Sequence, residues 1–382
     1  MSEETFSQLD ELQTSGGAKA TIDRLIATLR EEKQYHKLFD AICLQKKFEL
    51  GLPLTRPTSF DDVPDEQQDE FKASYICAAR EAGELLLADG DIPEAWMYLR
   101  TIGEPEKVAA ALDAIDSGRE VDEQTEQLIN IALYEGANPV KGLEMMLRSH
   151  GTCNTVTALD QQIQELKPEN RKQAACLLVN ELFGDLCQTV QSEVEQRMAL
   201  APPGDSLREL ITGRDWLFAD DNYHVDVSHL NAVVRFSRFL DSSYPELQKA
   251  IQLAEYGAML SPQFHYAGDP PFDDFYPAHV QFFKALADEN QDDAIGYFRE
   301  KLDAESDDEN KPMLAYVLVD LLTRVERLSD AVDVAEKYLK DVEDPNGFSF
   351  AELCQQADRL DVLQNVAREK GDLVAYTAAL VQ

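Results

Sequence analysis

Residues 71–105 read FKASYICAAREAGELLLADGDIPEAWMYLRTIGEP, and this stretch decides the fold. Phe71, Tyr75, Ala78, Ala82, Leu85 and Leu86 recur three or four residues apart. At about 3.6 residues per turn they share one face of a helix. Ile92, Ala95, Trp96, Leu99 and Ile102 repeat the pattern on a second helix. Between the two stripes lies Asp89-Gly90-Asp91. Glycine takes the left-handed conformation that ends a helix, and aspartate caps the next N-terminus. Pro93 falls in the following first turn, where a missing N–H costs little. Two helices joined this tightly fold back on each other, and each can bury its stripe only against a neighbour.

The same period runs through most of the chain. Ile22, Leu25, Ile26 and Leu29 keep it, as do Tyr35, Leu38, Phe39, Ile42 and Cys43. It returns in Leu314, Val317, Leu318, Leu321 and Leu322, then in Ala331, Val334, Ala335 and Tyr338. Gly103-Glu104-Pro105 marks a further joint, and Gly136 and Pro139 bracket a helix start ahead of Leu143, Met145 and Met146. No run alternates apolar and polar residues with β-branched enrichment. The expected fold class is therefore all-α, with short helices on tight polar connectors.

Ala79–Pro105 resembles a tetratricopeptide repeat, a helical hairpin of about 34 residues. Ala82 and Gly83 sit where the first helix of that family carries its large-small pair. Gly90 and Asp91 sit at its turn, and Ala95 and Leu99 on its second helix. Ala79 stands where the family has an aromatic residue, and Pro105 comes two residues early for its closing proline. Ala294 and Phe298, after Glu289-Asn290-Gln291, resemble the Ala…Phe pair of the second helix, and so do Ala331 and Ala335 after Arg327-Leu328-Ser329. Gly371-Asp372 opens a last hairpin whose small residue, Ala375, is off by one. The resemblance covers mainly 71–116 and 275–382. It implies an α-α superhelix, a solenoid of degenerate antiparallel hairpins. It also implies a surface that binds a protein or peptide partner.

Composition narrows the partners. The 382 residues carry 35 Lys+Arg against 72 Asp+Glu, a net charge of −37. Such a field repels phosphate backbones and anionic lipid, which argues against nucleic acid and membrane surfaces. No run approaches the ~18 uncharged apolar residues of a membrane-spanning helix. The start, MSEETFSQLDELQTSGG, has neither the basic nor the apolar region of a secretory signal. Residues 1–18 are expected to form a disordered acidic tail. Cys43, Cys77, Cys153, Cys176, Cys187 and Cys354 form no C-x-x-C pair. Scattered thiols fit a reducing interior, so the expected location is cytoplasmic.

Residues 19–200 read as an N-terminal helical half and 277–382 as a C-terminal half. The stretch 201–276 departs from the pattern. It opens on Ala201-Pro202-Pro203-Gly204 and holds two expected helices, about 226–241 and 245–260. The first has one stripe at Val227, Leu230, Val234 and Ser237 and another at His229, Ala232, Phe236 and Phe239. A helix apolar on two sides belongs between layers. A loop over 261–275 follows, dense in proline and aromatic residues, and long loops in compact chains often carry function. Four of the six histidines, His224, His229, His265 and His279, fall in this window. Tyr223, His224, Asp226, His229, His265, Tyr266, Phe272, Phe275 and Tyr276 are the candidate partner- or ligand-binding residues.

The sharpest catalytic alternative is a metal site of His224, Asp226 and His229, with Asp220, Asp221, Asp273 and Asp274 at hand. Five residues separate the two histidines, roughly 140° around a helix, so they converge only if His224 precedes it. Asp226 is equally well placed as that helix's N-cap, and His229 as an interlayer residue. Cys153 beside His150 could be an activated thiol, or part of a loop before a helix capped at Thr155 or Thr157. Cys176 and Cys187 share a face and read as small buried residues. There is no phosphate-binding G-x-G-x-x-G or G-x-x-x-x-G-K-[ST]. Trp96 and Trp216 read as packing residues. The expected function is a non-catalytic interaction scaffold or adaptor, with no cofactor or metal and no catalytic residue named. The alternative is a metal-dependent or small-molecule-binding activity centred on 215–280. Oligomeric state stays open.

Overall fold

The computed structural model describes residues 3–116, 122–198, 206–342 and 348–382. The chain divides into two compact units, Met1–Ala158 and Leu159–Gln382. Among the described residues there is no β-strand, only one isolated bridge between Ala267 and Asp274. The protein is all-helical, and successive helices pack on their neighbours in the chain. No helix among the described residues is long and apolar enough to cross a membrane.

The first unit holds α1 (Glu3–Glu31), α2 (Tyr35–Glu49), α3 (Asp65–Ala88), α4 (Ile92–Thr101), α5 (Pro105–Asp113), α6 (Glu123–Ile129) and most of α7 (Pro139–Gln162). From Glu3 on, the expected acidic tail falls on α1. Glu3–Gly16 is helical, and the backbone breaks at Gly17 (φ 76°, ψ 179°). Arg24 donates to Gln8 Oε1 at 3.4 Å and Thr21 Oγ1 lies 3.1 Å from Gln13 Oε1, so the segment folds back on the one after it. Leu9 and Leu12 are half-buried there and supply the stripe that orders it. α7 breaks identically at Gly151 (φ 78°, ψ 177°). Both breaks carry the pattern Ser-X-Gly-X-X-X-Thr, at Ser15–Thr21 and Ser149–Thr155. In both, the serine hydroxyl donates to the carbonyl four residues back at 2.8 Å, to Glu11 and Met145. The threonine hydroxyl donates to the glycine carbonyl at 3.1 and 3.0 Å. Only glycine adopts that backbone conformation without strain.

The second unit holds α8 (Pro168–Arg197), α9 (Leu207–Ile211), α10 (Val227–Phe236), α11 (Glu246–Met259), α12 (Phe275–Leu286), α13 (Gln291–Ala304), α14 (Lys311–Arg324), α15 (Leu328–Tyr338), α16 (Phe350–Gln356), α17 (Leu360–Lys370) and α18 (Leu373–Val381). α9, α10 and α11 lie on the long α8, and from α11 onward each helix packs on the next. The 201–204 boundary lies outside the described residues. The pair expected at about 226–241 and 245–260 corresponds to α10, extended by a single turn over Ser237–Phe239, and to α11. Gly257 on α11 admits the Tyr276 ring so closely that a Cβ there would lie 2.3 Å from it. Tyr276 Oη then donates to Asn231 at 2.6 Å, which locks α10, α11 and α12 together.

One joint recurs. Lys33, Gly90, Gly103, Glu326, Asp358 and Gly371 all take a left-handed φ, between 55° and 85°. The next residue's N–H then returns to a carbonyl inside the preceding helix: Gln34 to Leu29, Asp91 to Leu86, Glu104 to Leu99, Arg327 to Leu322, Arg359 to Cys354 and Asp372 to Ala367. This is the Schellman termination, which satisfies the last carbonyls and turns the chain sharply. Arginine side chains stitch neighbouring hairpins beyond the joints. Arg327 pairs with Asp292 at the start of α13, and Arg359 reaches Ser329 and Asp333 of α15 at 2.9 and 3.1 Å.

A left-handed residue with a Cβ costs about 1 kcal/mol over glycine. Glu326→Gly is therefore expected to stabilise the chain by about that much. Gly151→Ala is expected to cost about 2–3 kcal/mol, because its backbone region excludes side chains. Urea unfolding of both variants checks this; equal midpoints would remove the joint as a determinant of stability.

Candidate functional site

The residues singled out in the sequence divide into two groups. His224 is closed in, its side chain 2% exposed. Its backbone N–H donates to Tyr256 Oη at 2.9 Å, its Nδ1 lies 3.0 Å from the same hydroxyl, and its Nε2 lies 2.8 Å from Glu193. The consistent assignment has the Tyr256 hydroxyl donating to Nδ1 and Nε2–H donating to Glu193. His224 thus pins the segment before α10 onto α8 and α11. Asp226 caps α10, accepting from the N–H groups of Ser228 and His229 at 2.8 and 3.3 Å. The Ser228 hydrogen bond chiefly holds its carboxyl below the usual range. His229 is half-buried in the first turn of α10. Tyr223 is exposed, edge-on to Phe264 at 5.1 Å.

The aromatic loop is divided: Phe272 and Phe275 belong to the core, whereas His265 and Tyr266 are exposed. Phe272, Phe275 and Tyr276, expected as contact residues, are buried, and the last two already form the first turn of α12. The reason is close backbone packing: a Cβ on Gly268 would sit 2.1 Å from the Phe272 carbonyl, so the loop folds tightly and sends these rings inward. His265 Nε2 lies 2.9 Å from the Leu260 carbonyl, and Tyr266 remains exposed against Phe275. His279 is enclosed by Phe272, Phe275 and Phe283. Its Nδ1 lies 2.7 Å from the Phe275 carbonyl and its Nε2 has no partner. Burial pushes this imidazole down to about 3 against the Phe275 hydrogen bond, and the charges of Arg238 and Arg235 add to the effect.

Nothing gathers the ligands of the metal alternative. Both ring nitrogens of His224 are engaged and Asp226 is a cap. Among the described residues no group of three or more His, Cys, Asp or Glu could hold a metal ion. Cys153 lies in the helix after Gly151, whereas His150 faces Ser149 at 2.7 Å and Glu126 at 2.9 Å. The Thr155 and Thr157 hydroxyls donate to carbonyls four residues back and cap nothing. All six cysteines are free thiols, and burial pushes Cys176 up to about 12.

A different site appears where the turn after α10, α12 and α14 meet. A cavity of about 410 Å³ is lined by Arg171, Arg238, Phe239, Phe272, Phe282, Tyr316, Val317, Asp320 and Arg324. Three guanidiniums sit on three rings: Arg171 on Phe239 at 5.8 Å, Arg238 on Phe272 at 4.8 Å and Arg324 on Phe282 at 5.5 Å. Two of them are spent on backbone. Arg171 donates to Leu166 and Gln164 carbonyls at 2.9 and 2.7 Å. Arg324 donates to the Arg238 carbonyl at 2.7 Å and to that of Leu240, and it pairs with Asp320 at 3.3 Å. Arg238 has only a 3.4 Å bond from Nε to the Arg235 carbonyl. No carboxylate among the described residues pairs with it, and burial pulls its guanidinium below the ordinary value.

A second cavity of about 250 Å³ adjoins the first across Tyr316 and Asp320. It continues along α14 to Phe348, Ser349, Glu352 and Gln356. The only charged residues lining it are Asp320 and Glu352. An open hollow of about 530 Å³ beside α11 and α12 differs, because Glu255 there is paired with both Arg208 and Lys284. The arginine cavity was missed in the sequence, although VVRFSRFL over 233–240 places Arg235 and Arg238 inside a helix apolar on two sides. Of the two, Arg235 reaches out to Asp160 and Arg238 turns toward the cavity, and the charges in an apolar segment were the available signal.

No family model, no curated protein and no solved structure matches the chain.

His279 yields a pH prediction. Between about pH 6.5 and 3 the unfolded imidazole binds a proton that the folded one does not, so its contribution to stability falls as pH falls through that window. His279→Phe removes this contribution. On going from pH 7 to 4.5 the variant is expected to lose less stability than the parent, by a difference on the order of 2 kcal/mol. Parallel unfolding curves across that range would show His279 protonated or solvated in the folded chain.

Proposed function

We propose that this chain is a non-catalytic interaction protein of the cytoplasm. In this reading its helical hairpins stack as a tetratricopeptide-like superhelix, and its first-helix face holds a peptide segment of a partner. The observation that carries the reading is the pair of cavities sharing the α14 wall at Tyr316 and Asp320. Their linings come from Arg171 of α8, the turn after α10, Phe272, and α12, α14 and the start of α16, the last three being first members of successive helix pairs. The spacing of the Arg327 and Arg359 stitches between second helices supports a repeating arrangement. Tyr316 is 41% exposed on that wall, a ring large enough to anchor a bound side chain. Six free thiols fit the reducing compartment, and the charge of −37 argues against a nucleic-acid partner.

Selection of a displayed random heptapeptide library on the full chain tests this. Enriched peptides are expected to bind with micromolar dissociation constants, and Tyr316→Ala or Phe348→Ala is expected to weaken them at least tenfold. No enrichment, or undiminished binding by both variants, would remove the groove as the working surface.

A further inference from the structure

The two ends of the groove carry opposite charge. At one end Arg238 sits over the Phe272 ring, 4.8 Å from its centroid, with its terminal N–H groups given to no protein atom among the described residues. At the other end Glu352 lines the wall with no cation paired to it among the described residues, while Asp320, on the wall common to both cavities, is paired with Arg324. Tyr316 stands between them and faces both cavities. We propose that the groove recognises a dipolar peptide segment, with a carboxylate seated on Arg238 and a cationic side chain seated beside Glu352. This rests on the reading of the groove as a peptide site and specifies its occupant.

Three features select that chemistry. A guanidinium pinned to a ring presents a planar fork, which matches the two oxygens of a carboxylate. Arg171 and Arg324 add positive charge at the same end, but their hydrogen bonds are already committed to carbonyls. The cavity thus offers one free fork, enough for a carboxylate. A phosphoryl group, with three oxygens and close to two charges, would leave most of its oxygens unbound and would face Asp320. The aromatic walls give the rest of the segment an apolar seat. Whole-chain charge favours the dipolar form over a purely acidic one: at −37 the chain repels an anionic peptide, whereas a segment with one acid and one base approaches as a neutral body. Each of its charges then meets its complement at contact distance, where screening is weakest.

The probe is a pool of heptapeptides, acetylated and amidated at their ends, each holding one Glu, one Lys and one Phe at varied spacing. Matched pools carry Gln for Glu or Met for Lys. Fluorescence polarisation against the full chain is expected to show the Glu/Lys pool binding at least tenfold tighter than either neutral pool. Arg238→Gln is expected to erase the advantage of Glu and keep that of Lys. Glu352→Gln is expected to lower the advantage of Lys and keep that of Glu. Arg238→Lys, which keeps the charge and loses the fork, is expected to fall between parent and Arg238→Gln. It also guards against misfolding, since its thermal midpoint should match the parent's. Equal binding of all pools, or an advantage of Glu that survives Arg238→Gln, would overturn the dipolar assignment. If charge-blind binding is still weakened by Tyr316→Ala, the groove stands and the assignment falls. Absence of any peptide binding removes both.

Discussion

A helix of ten to fourteen residues is barely stable by itself in water, so this fold depends on the joint that returns each helix to its neighbour. The joint couples two requirements in one place. The left-handed residue reverses the chain, and the N–H that follows it bonds to the carbonyl of Leu29, Leu86, Leu99, Leu322, Cys354 or Ala367. Every one of those six acceptor residues is buried. Turn and core therefore form together: a helix that does not reverse correctly leaves an apolar stripe in water and carbonyls unbonded. The Ser-X-Gly-X-X-X-Thr breaks at Gly17 and Gly151 solve the same problem with hydroxyl groups standing in for the lost backbone bonds. Contacts between successive helices carry most of the packing, joined by those of α10 and α11 on α8, and topologies rich in local contacts fold readily.

The periodicity of the apolar residues was legible because it is imposed by the one-sided burial that the joints enforce. Phe71, Ala78, Ala82, Ala95 and Leu99 are core residues as their spacing predicts. Joints built on glycine were legible too, at Gly90, Gly103 and Gly371. Those at Lys33, Glu326 and Asp358 were not, because there the hydrogen bond to the preceding helix holds a residue with no intrinsic preference for the left-handed region. The helix over the acidic start was not legible for a related reason. Its net charge is high, but Leu9 and Leu12 face one way and a glycine break lets them use the adjoining helix. The burial of Phe272, Phe275 and Tyr276 was not legible because composition says nothing about which way rings point. Gly257 and Gly268 supply the space that draws Tyr276 and Phe272 inward.

The site itself lies one step beyond pattern reading. His224, Asp226 and His229 are clustered in sequence, yet each is used locally, as a pin, a cap and a helix residue. Arg171, Arg238 and Arg324 are scattered over the chain, and packing of α8, α10, α12 and α14 brings them to one cavity. Only tertiary structure makes that cluster. A composition with twice as many acids as bases even hides it, because a global field of one sign does not describe a cavity some ångströms across. At physiological ionic strength distant charges are attenuated beyond about 8 Å, so the three guanidiniums and the Asp320 carboxylate lining one cavity set its local potential.

The stacking of those guanidiniums also bears on what the cavity is for. A region needed only as core would be more stable with aliphatic side chains in their place, since taking an unpaired cation out of water is costly. Arg171 and Arg324 offset that cost by bonding to carbonyls at helix and turn ends, where positive charge is welcome. Arg238 has no such compensation beyond the ring beneath it and one long bond to Arg235. The ring contact and the Nε bond restrict where the guanidinium can sit, so a ligand that meets it loses less to ordering it. An uncompensated, restrained cation at the base of an aromatic cavity makes sense as one half of a recognition pair whose other half arrives from outside, because the stability forgone in the free chain is returned on binding.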